Sequence, residues 1–230
     1  FWLGVMESLR PFDVPFTWWG FIYGFLVFEL AVWLLHWASH KVRLLWCIHA
    51  THHTSETINI GVATSNFFME QAYLTFFKSL ICTLLGVTPP IVLTILIIDG
   101  VWVRFSHISE DTLPDGRLGF LNWFLITPSR HRVHHARNPL YLDQNFSNTL
   151  SFWDWVFGRL QREDKAETFQ YGITRPVNHA SFIDFYMGEW ITLWHDIRKA
   201  PGLKNKLLYL IMPPGWTHTG ESKLAGAIRK

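Results

Sequence analysis

The distribution of histidine constrains this chain more than any other feature. Of twelve histidines in 230 residues, eight fall in three short clusters: H-x-x-x-H from His36, and H-x-x-H-H from His49 and again from His131. His107 stands alone between them. Spacings of three and four residues put side chains on one face of a helix. The nine candidate metal ligands are His36, His40, His49, His52, His53, His107, His131, His134 and His135.

This number of imidazoles predicts a site for two metal ions. One histidine pair at helical spacing is more often a polar helix face, but three clusters argue against scattered surface or core histidines. Structural zinc sites usually have four ligands, often cysteine, and the only cysteines, Cys47 and Cys82, lie outside a paired framework. Imidazole suits iron, copper, zinc or nickel, so the residues alone leave the metal open.

Acidic and amide side chains near the clusters are candidates for orienting the ligating rings through their free ring N–H groups. Glu56, Asp143, Asn145 and Asp154 are the candidates. Each acid is equally plausible as a solvated loop residue or a helix cap.

Hydrophobic segments predict that the site lies at a membrane. The chain is 49% hydrophobic and 17% aromatic, as expected of lipid-facing surfaces and interfacial belts. A formal net charge of +2 gives no indication of a nucleic-acid partner. We predict spans at about 16–37, 67–87 and 90–107, near the length that ~30 Å of hydrocarbon requires. Proline separates the last two spans because it cannot continue a helix.

Three spans would bring all nine histidines to one side of the membrane. Lys and Arg are concentrated on that side and absent from the 84–95 hairpin, so the positive-inside rule makes the metal side cytoplasmic. The expected fold is an all-α, multi-pass integral membrane protein over residues 1–230, with a cytoplasmic helical cap at about 108–216. The membrane would be a bacterial inner membrane or the endoplasmic reticulum. A first residue other than Met is compatible with a further segment, such as a spanning helix, before Phe1.

Helical geometry also predicts a bend after the first span. At ~100° per residue, the first two clusters would face nearly opposite ways on one straight helix. Either the chain bends between Lys41 and Ile48 or the clusters bind different ions, and we favour a bend although no Gly or Pro marks it.

The C-terminal part is expected to cover the site. Residues 181–199 and 203–212 mix large apolar side chains with Lys and Arg, as in interfacial helices, although packing on the cytoplasmic domain is slightly favoured. His179, His195 and His218 lack the spacing of the clusters. We expect these three to be structural or on the surface.

The stretches HWASH from His36, HATHHTSE from His49 and HRVHH from His131 resemble the three histidine boxes of the fatty acid hydroxylase and sterol desaturase superfamily of membrane di-iron enzymes. The words RHRVHHARN, DQNF, WDWVFG and YGITRPVN are similar to its alkylglycerol monooxygenase branch, while Lys41, Ile58–Asn66 and the interval from His107 to His131 depart from that branch. The resemblance covers about residues 30–216. It implies a helical membrane fold, two iron ions that zinc can replace in purified protein, and His107 as an additional ligand.

The expected function is oxygen-dependent hydroxylation of a long-chain lipid such as an alkylglycerol, sterol or fatty acyl lipid. No catalytic residue beyond the metal ligands is required. A lipid desaturase on the same scaffold is the alternative. A metal transporter or storage protein would need ligands at mid-membrane depth, which only Glu29, Glu70, Lys78 and Asp99 approach.

The expected partners are the lipid substrate, dioxygen, the bilayer and an outside reductant. The chain shows no haem motif, iron–sulfur spacing or nucleotide-binding loop. An electron-donor protein or a reduced pterin must therefore supply electrons. Lys41, Glu56 and Arg137 are candidates for contacting the lipid headgroup, and each is equally plausible as a solvated flank.

Overall fold

The computed structural model describes residues 7–228, and no β-strand occurs in this part of the chain. Short 3-10 turns lie at Val62–Thr64 and Gly119–Trp123. The helices are α1 Trp18–Lys41, α2 Arg43–His53, α3 Glu70–Leu84, α4 Pro89–Ser106, α5 Pro128–His135, α6 Phe152–Val156, α7 Phe182–Lys199, α8 Gly202–Ile211 and α9 Ala225–Ile228. The all-helical prediction is confirmed for the described residues.

Two described helices are long and apolar enough to cross a membrane. They are α1, with 24 residues and a mean hydropathy of 1.7, and α4, with 18 residues and a mean hydropathy of 1.5. Thr17 caps α1 by accepting a hydrogen bond from the Gly20 N–H at 3.2 Å. Proline begins α4, as predicted. The N–H groups of a first turn have no acceptor within the helix, so proline loses no hydrogen bond at this position.

The predicted second span is shorter than expected. Helix α3 has 15 residues, or ~22 Å at 1.5 Å per residue, against the ~30 Å of a hydrocarbon core. It begins only at Glu70, whose carboxylate turns toward the histidines, and it ends before Gly86, which has a φ of +79°. The prediction of three full-length spans is therefore corrected to two candidate spans with a shorter helix between them.

Helix α3 returns the chain, so that α1 and α4 start at one end of the helix group. At this end Val14 donates to the Gly86 carbonyl at 2.9 Å, and the Thr88 hydroxyl donates to the Val14 carbonyl at 3.1 Å. Gly24 lets α1 approach α4, because a Cβ there would lie 2.5 Å from Ile91 Cγ2. The other ends of α1 and α4 therefore lie side by side and carry histidines.

The predicted bend lies at Val42, between α1 and α2. This residue has φ −115° and ψ 116°, an extended conformation that interrupts the helix without Gly or Pro. Its N–H still donates to the Ala38 carbonyl at 2.8 Å, and the next N–H, that of Arg43, donates to the Met212 carbonyl at 3.1 Å. The bend turns the second histidine cluster toward the first.

Helices α7 and α8 close the metal-side end. They pack on α2 through a cluster of Cys47, Leu193, Ala200 and Tyr209, which supports the packing interpretation of this region. Their outer surfaces expose large apolar side chains, including Phe182, Ile183, Trp194, Leu203 and Ile211. A helix with one packed face and one exposed apolar face suits a membrane interface.

Candidate metal centre

The structure brings all nine candidate histidines together in two adjacent groups. In each group, one ring nitrogen from every member lies within 4.8 Å of the others. The five-histidine group is His36, His40, His49, His53 and His134. The four-histidine group is His52, His107, His131 and His135.

Each group combines residues from distant helices. The first cluster comes from the last turns of α1, the second from the C-terminal half of α2, and the third from α5. His107 is the residue that ends α4. Both H-x-x-H-H words divide their members between the two groups, so neither word alone forms a site.

Hydrogen bonds at Nδ1 fix the orientation of five rings. Four Nδ1 atoms bond to backbone carbonyls at 2.6–3.1 Å: His36 to Phe146, His52 to Val62, His107 to Val103 and His134 to Gln144. The fifth, His49 Nδ1, lies 2.6 Å from Glu70 Oε1. A carbonyl oxygen and an ionised carboxylate oxygen can only accept, so the hydrogen is on Nδ1. The Nε2 atom of each neutral ring therefore carries a lone pair.

These lone pairs converge. The Nε2 atoms of His36 and His49 lie 3.1 Å apart, and those of His52 and His107 lie 3.2 Å apart. Since the hydrogens are on Nδ1, each pair places two acceptors face to face. Two nitrogens bound at ~2.1 Å to one ion, at ligand angles of roughly 90–110°, are ~3.0–3.4 Å apart. The donor set therefore fits one metal ion in each group.

Burial keeps most of the rings neutral. It is the largest cause that lowers the pKa of His52, His53, His131 and His135 well below the ordinary value. It also lowers the pKa of His107 to about 4. Metal binding requires a deprotonated ring nitrogen, so these rings hold their ligand atoms ready at neutral pH. His134 Nε2 is buried, with no hydrogen-bond partner in the described part of the chain.

Asp154 and Asn145 act through the loop between α5 and α6. Asp154 Oδ1 accepts hydrogen bonds from Trp33 Nε1 at 2.9 Å and Phe146 N at 2.8 Å, and its Oδ2 accepts from Ser147 N at 3.0 Å. Burial raises the pKa of Asp154 to about 6. Because the Phe146 carbonyl orients His36, Asp154 positions a candidate ligand indirectly. Asn145 bridges the Arg130 and Gln161 backbones at 2.8–2.9 Å.

The other two acids differ in placement. Asp143 lies 3.6 Å from His40 Nδ1 and pairs with Lys41, at a left-handed φ of 58°. The structure does not bring Glu56 to the nine histidines. The chain leaves α2 at Thr54, so Glu56 is exposed and pairs with His179 at 3.4 Å.

Glu70 and Glu29 support the site although their roles were not predicted. Glu70 orients His49, while Glu29 Oε2 accepts from Thr149 N at 3.1 Å and Leu150 N at 2.8 Å. The signal for both was a carboxylate inside an apolar segment, which requires a partner. Asp99 likewise accepts from Asn148 at 2.9 Å. Carboxylates of α1 and α4 thus hold the loop that contacts His36.

Two cavities reach the histidines. One of about 290 Å³ lies between α1, α3 and α4 and touches His36, His49, His52, His107 and His131. It also contains Glu70 and the buried pair of Lys78 and Asp99, so it is more polar than a simple apolar slot. The other, about 580 Å³, touches the remaining four histidines, and residues of α7 and α9 help to line it.

Comparison with known proteins finds a matching family and several relatives. A family model described as "Fatty acid hydroxylase" matches residues 21–159. Alkylglycerol monooxygenases of Xenopus tropicalis and Homo sapiens are each 32% identical over 212 residues, covering 90% of this chain and 44% of theirs. Ornithine lipid hydroxylase OlsE of Rhizobium tropici is 26% identical over 157 residues, covering 68% of this chain and 46% of its own length. The chain spans less than half of these relatives, and no solved structure matches it.

Proposed function

The chain belongs to the fatty acid hydroxylase family, and on this basis we propose that it is a di-iron hydroxylase of a long-chain membrane lipid. The observation that carries the proposal is the convergence of neutral Nε2 atoms in two groups at ligand spacing. The proposed reaction consumes a lipid C–H bond, dioxygen, two electrons and two protons, and yields a lipid alcohol and water. Bound iron supplies oxygen activation and C–H cleavage.

The residues of the chain then have three tasks. The carbonyls of Val62, Val103, Gln144 and Phe146 and the Glu70 carboxylate fix the rings. Burial keeps the imidazoles of His52, His53, His131 and His135 unprotonated and limits water. The all-nitrogen donor set also accepts zinc, which outranks ferrous iron for such ligands. We therefore expect zinc to replace iron when it is abundant during expression.

We assign the 290 Å³ cavity between the membrane helices to the substrate chain. Its walls come from α1, α3 and α4, and five histidines border it. Two of these, His36 and His107, lie at the metal-side ends of α1 and α4, so the oxidised carbon would lie near the lipid headgroup. The relatives named for alkylglycerols and ornithine lipids point to amphipathic substrates of this kind.

The remaining features of the proposal concern topology and electron supply. We propose that α1, α3 and α4 form the membrane part and that the metal centre lies on the cytoplasmic side. The positive-inside bias of Lys and Arg supports this orientation. Electrons would come from a separate donor protein or a reduced pterin, and the larger cavity beneath α7 and α9 offers that donor a route away from the substrate.

The test combines metal content with product analysis. Iron-loaded protein in lipid nanodiscs is given reductant, oxygen and a panel of alkylglycerols, sterols and fatty acyl lipids, and products are identified by mass spectrometry. We expect two ions per chain and a product one oxygen atom heavier. A product two hydrogen atoms lighter would assign desaturation instead. One ion or none in active protein, or turnover of water-soluble compounds alone, would refute the proposal.

A further inference from the structure

Two segments beyond α4 carry a cluster of exposed aromatic side chains. They are the 3-10 turn Gly119–Trp123 and helix α6, and an isolated bridge between Leu125 and Leu150 joins the chain next to them. The exposed fractions are 72% for Phe120, 63% for Trp123 and 68% for Trp155. Large apolar patches of this kind mark sites of protein or membrane contact.

Helix α6 packs at the depth of the membrane helices, and the segment after the 3-10 turn packs near the metal-side end of α4. Trp153 Nε1 donates to the Leu26 carbonyl at 3.1 Å, and Trp102 Nε1 on α4 donates to the Ile126 carbonyl at 2.9 Å. Leu26 precedes His36 by ten residues in α1, or ~15 Å along the helix. Non-helical backbone is tolerated at such depth where protein groups satisfy it. Lipid chains therefore surround the exposed side chains of α6, and the 3-10 turn lies nearer the interface.

A cavity of about 300 Å³, which we call the arginine cavity, lies beside these aromatic residues. Arg117, Arg130 and Arg162 line it, together with Trp123. The Arg162 guanidinium lies over the Trp123 ring, 4.4 Å from its centroid. Glu163 is the single carboxylate in the lining, and it pairs with Arg117 at 3.7 Å and accepts from Ser129 at 2.5 Å. Arg117 also pairs with Asp115 at 3.5 Å, so three guanidinium groups face two carboxylates and one positive charge remains.

Two buried polar atoms of this cavity lack a hydrogen-bond partner among the described residues. Arg130 is 4% exposed, and its Nη1 lacks a hydrogen-bond partner within the described range. The hydroxyl of the fully buried Thr127 also lacks one there. A buried cationic donor without an acceptor is costly. Guanidinium groups bind phosphate oxygens especially well because their donors match them in pairs.

We propose that the arginine cavity binds the phosphate of a membrane phospholipid. The exposed aromatic residues would contact its acyl chains, and the arginines would hold its headgroup at the interface. None of the nine clustered histidines lines this cavity, so the proposed phosphate would not contact the candidate metal ligands. Arg130 directly precedes His131, which places the bound phosphate beside the first turn of the helix that carries the third cluster.

Native mass spectrometry of the purified protein tests this site with three probes. The probes are dioleoyl phosphatidylglycerol, uncharged dioleoylglycerol with the same chains, and glycerol 3-phosphate with the same phosphate chemistry but no chains. We expect phosphatidylglycerol to bind at least about tenfold more tightly than either of the others. Equal binding of dioleoylglycerol would show that the phosphate does not contribute to binding and would overturn the proposal. Equal binding of glycerol 3-phosphate would assign the cavity to a soluble anion and overturn the lipid proposal.

Substitutions locate the site. Arg162→Gln and Arg117→Gln should each weaken phosphatidylglycerol binding about tenfold, the lower range for a hydrogen bond to a charged group. Both side chains reach the surface, so folding is not at risk. Arg162→Lys keeps the charge but loses the paired donors, and it should recover part of the affinity. Arg198→Gln, an exposed arginine on α7, is the matched control. Unchanged binding in both cavity variants would refute the site.

Discussion

Replacing Glu70 should weaken the binding of one metal ion and leave the binding of the other unchanged. Its carboxylate is 1% exposed, and Oε1 lies 2.6 Å from His49 Nδ1 in the five-histidine group. A hydrogen bond to a charged group contributes about 1.5–3 kcal/mol, and loss of such a partner typically lowers metal affinity by about 10–100-fold. We expect Glu70→Ala to fall in that range. Glu70→Gln keeps a carbonyl acceptor without the charge, and should lose about 3–10-fold.

The four-histidine group provides an internal reference. There His52 is oriented by the Val62 carbonyl and His107 by the Val103 carbonyl, neither of which changes in the variant. Chelator titration followed by elemental analysis should release one ion early and the second at the wild-type chelator concentration. Glu110→Gln, which alters a carboxylate bonded to Tyr171, is the matched control. If both ions of Glu70→Ala leave together, or if neither shifts, the assignment of Glu70 to one group is wrong.

Four further outcomes are expected. His52→Ala and His134→Ala should each abolish hydroxylation in protein with native helical content by circular dichroism, and each should lose an ion from a different group. Asp154→Ala leaves three donors without an acceptor and should lower the free energy of unfolding by about 3–6 kcal/mol, measured by denaturant titration. Burial holds the folded pKa of His107 at about 4, below the ordinary 6.5. The unfolded chain therefore binds more protons than the folded chain below pH 6.5. The contribution of this neutral ring to the free energy of unfolding is fully present above pH 6.5 and is lost as the pH falls through 4. Thermal unfolding of metal-free protein at a series of pH values measures this loss. A cysteine in place of the exposed Glu56 should react with an impermeant reagent from the cytoplasmic side alone. Both native cysteines are buried, so they should add little background labelling.

The candidate ligands could be predicted because metal binding demands one side chain at a fixed spacing. The same argument predicted the bend, since a straight helix would have turned His40 and His52 apart. No local signal marks Val42 itself. Its extended conformation follows from the positions that the two flanking helices take in the fold. Such a tertiary requirement leaves no sequence pattern at the residue that satisfies it.

The supporting acids show where prediction from sequence ends. Glu29 and Glu70 stood out as charges in apolar segments, but their partners lie 120 and 21 residues away. Choosing among distant partners requires the fold. Glu56 had the opposite problem, because closeness in sequence to His53 did not bring it close in space. The length of α3 was overestimated because hydropathy reports how a segment partitions into lipid, whereas Glu70 and Gly86 decide where the helix begins and ends.

Backbone carbonyls orient four of the nine rings, and this has an evolutionary consequence. Every amino acid carries a carbonyl, so substitution at Val62, Val103, Gln144 or Phe146 can leave the acceptor in place provided the chain path is kept. That part of the site is invisible to comparisons of residue identity. A designer who transplants the histidine clusters into another helical scaffold would therefore have to copy the course of these backbone segments, since copying the ligands alone would leave the rings free to turn.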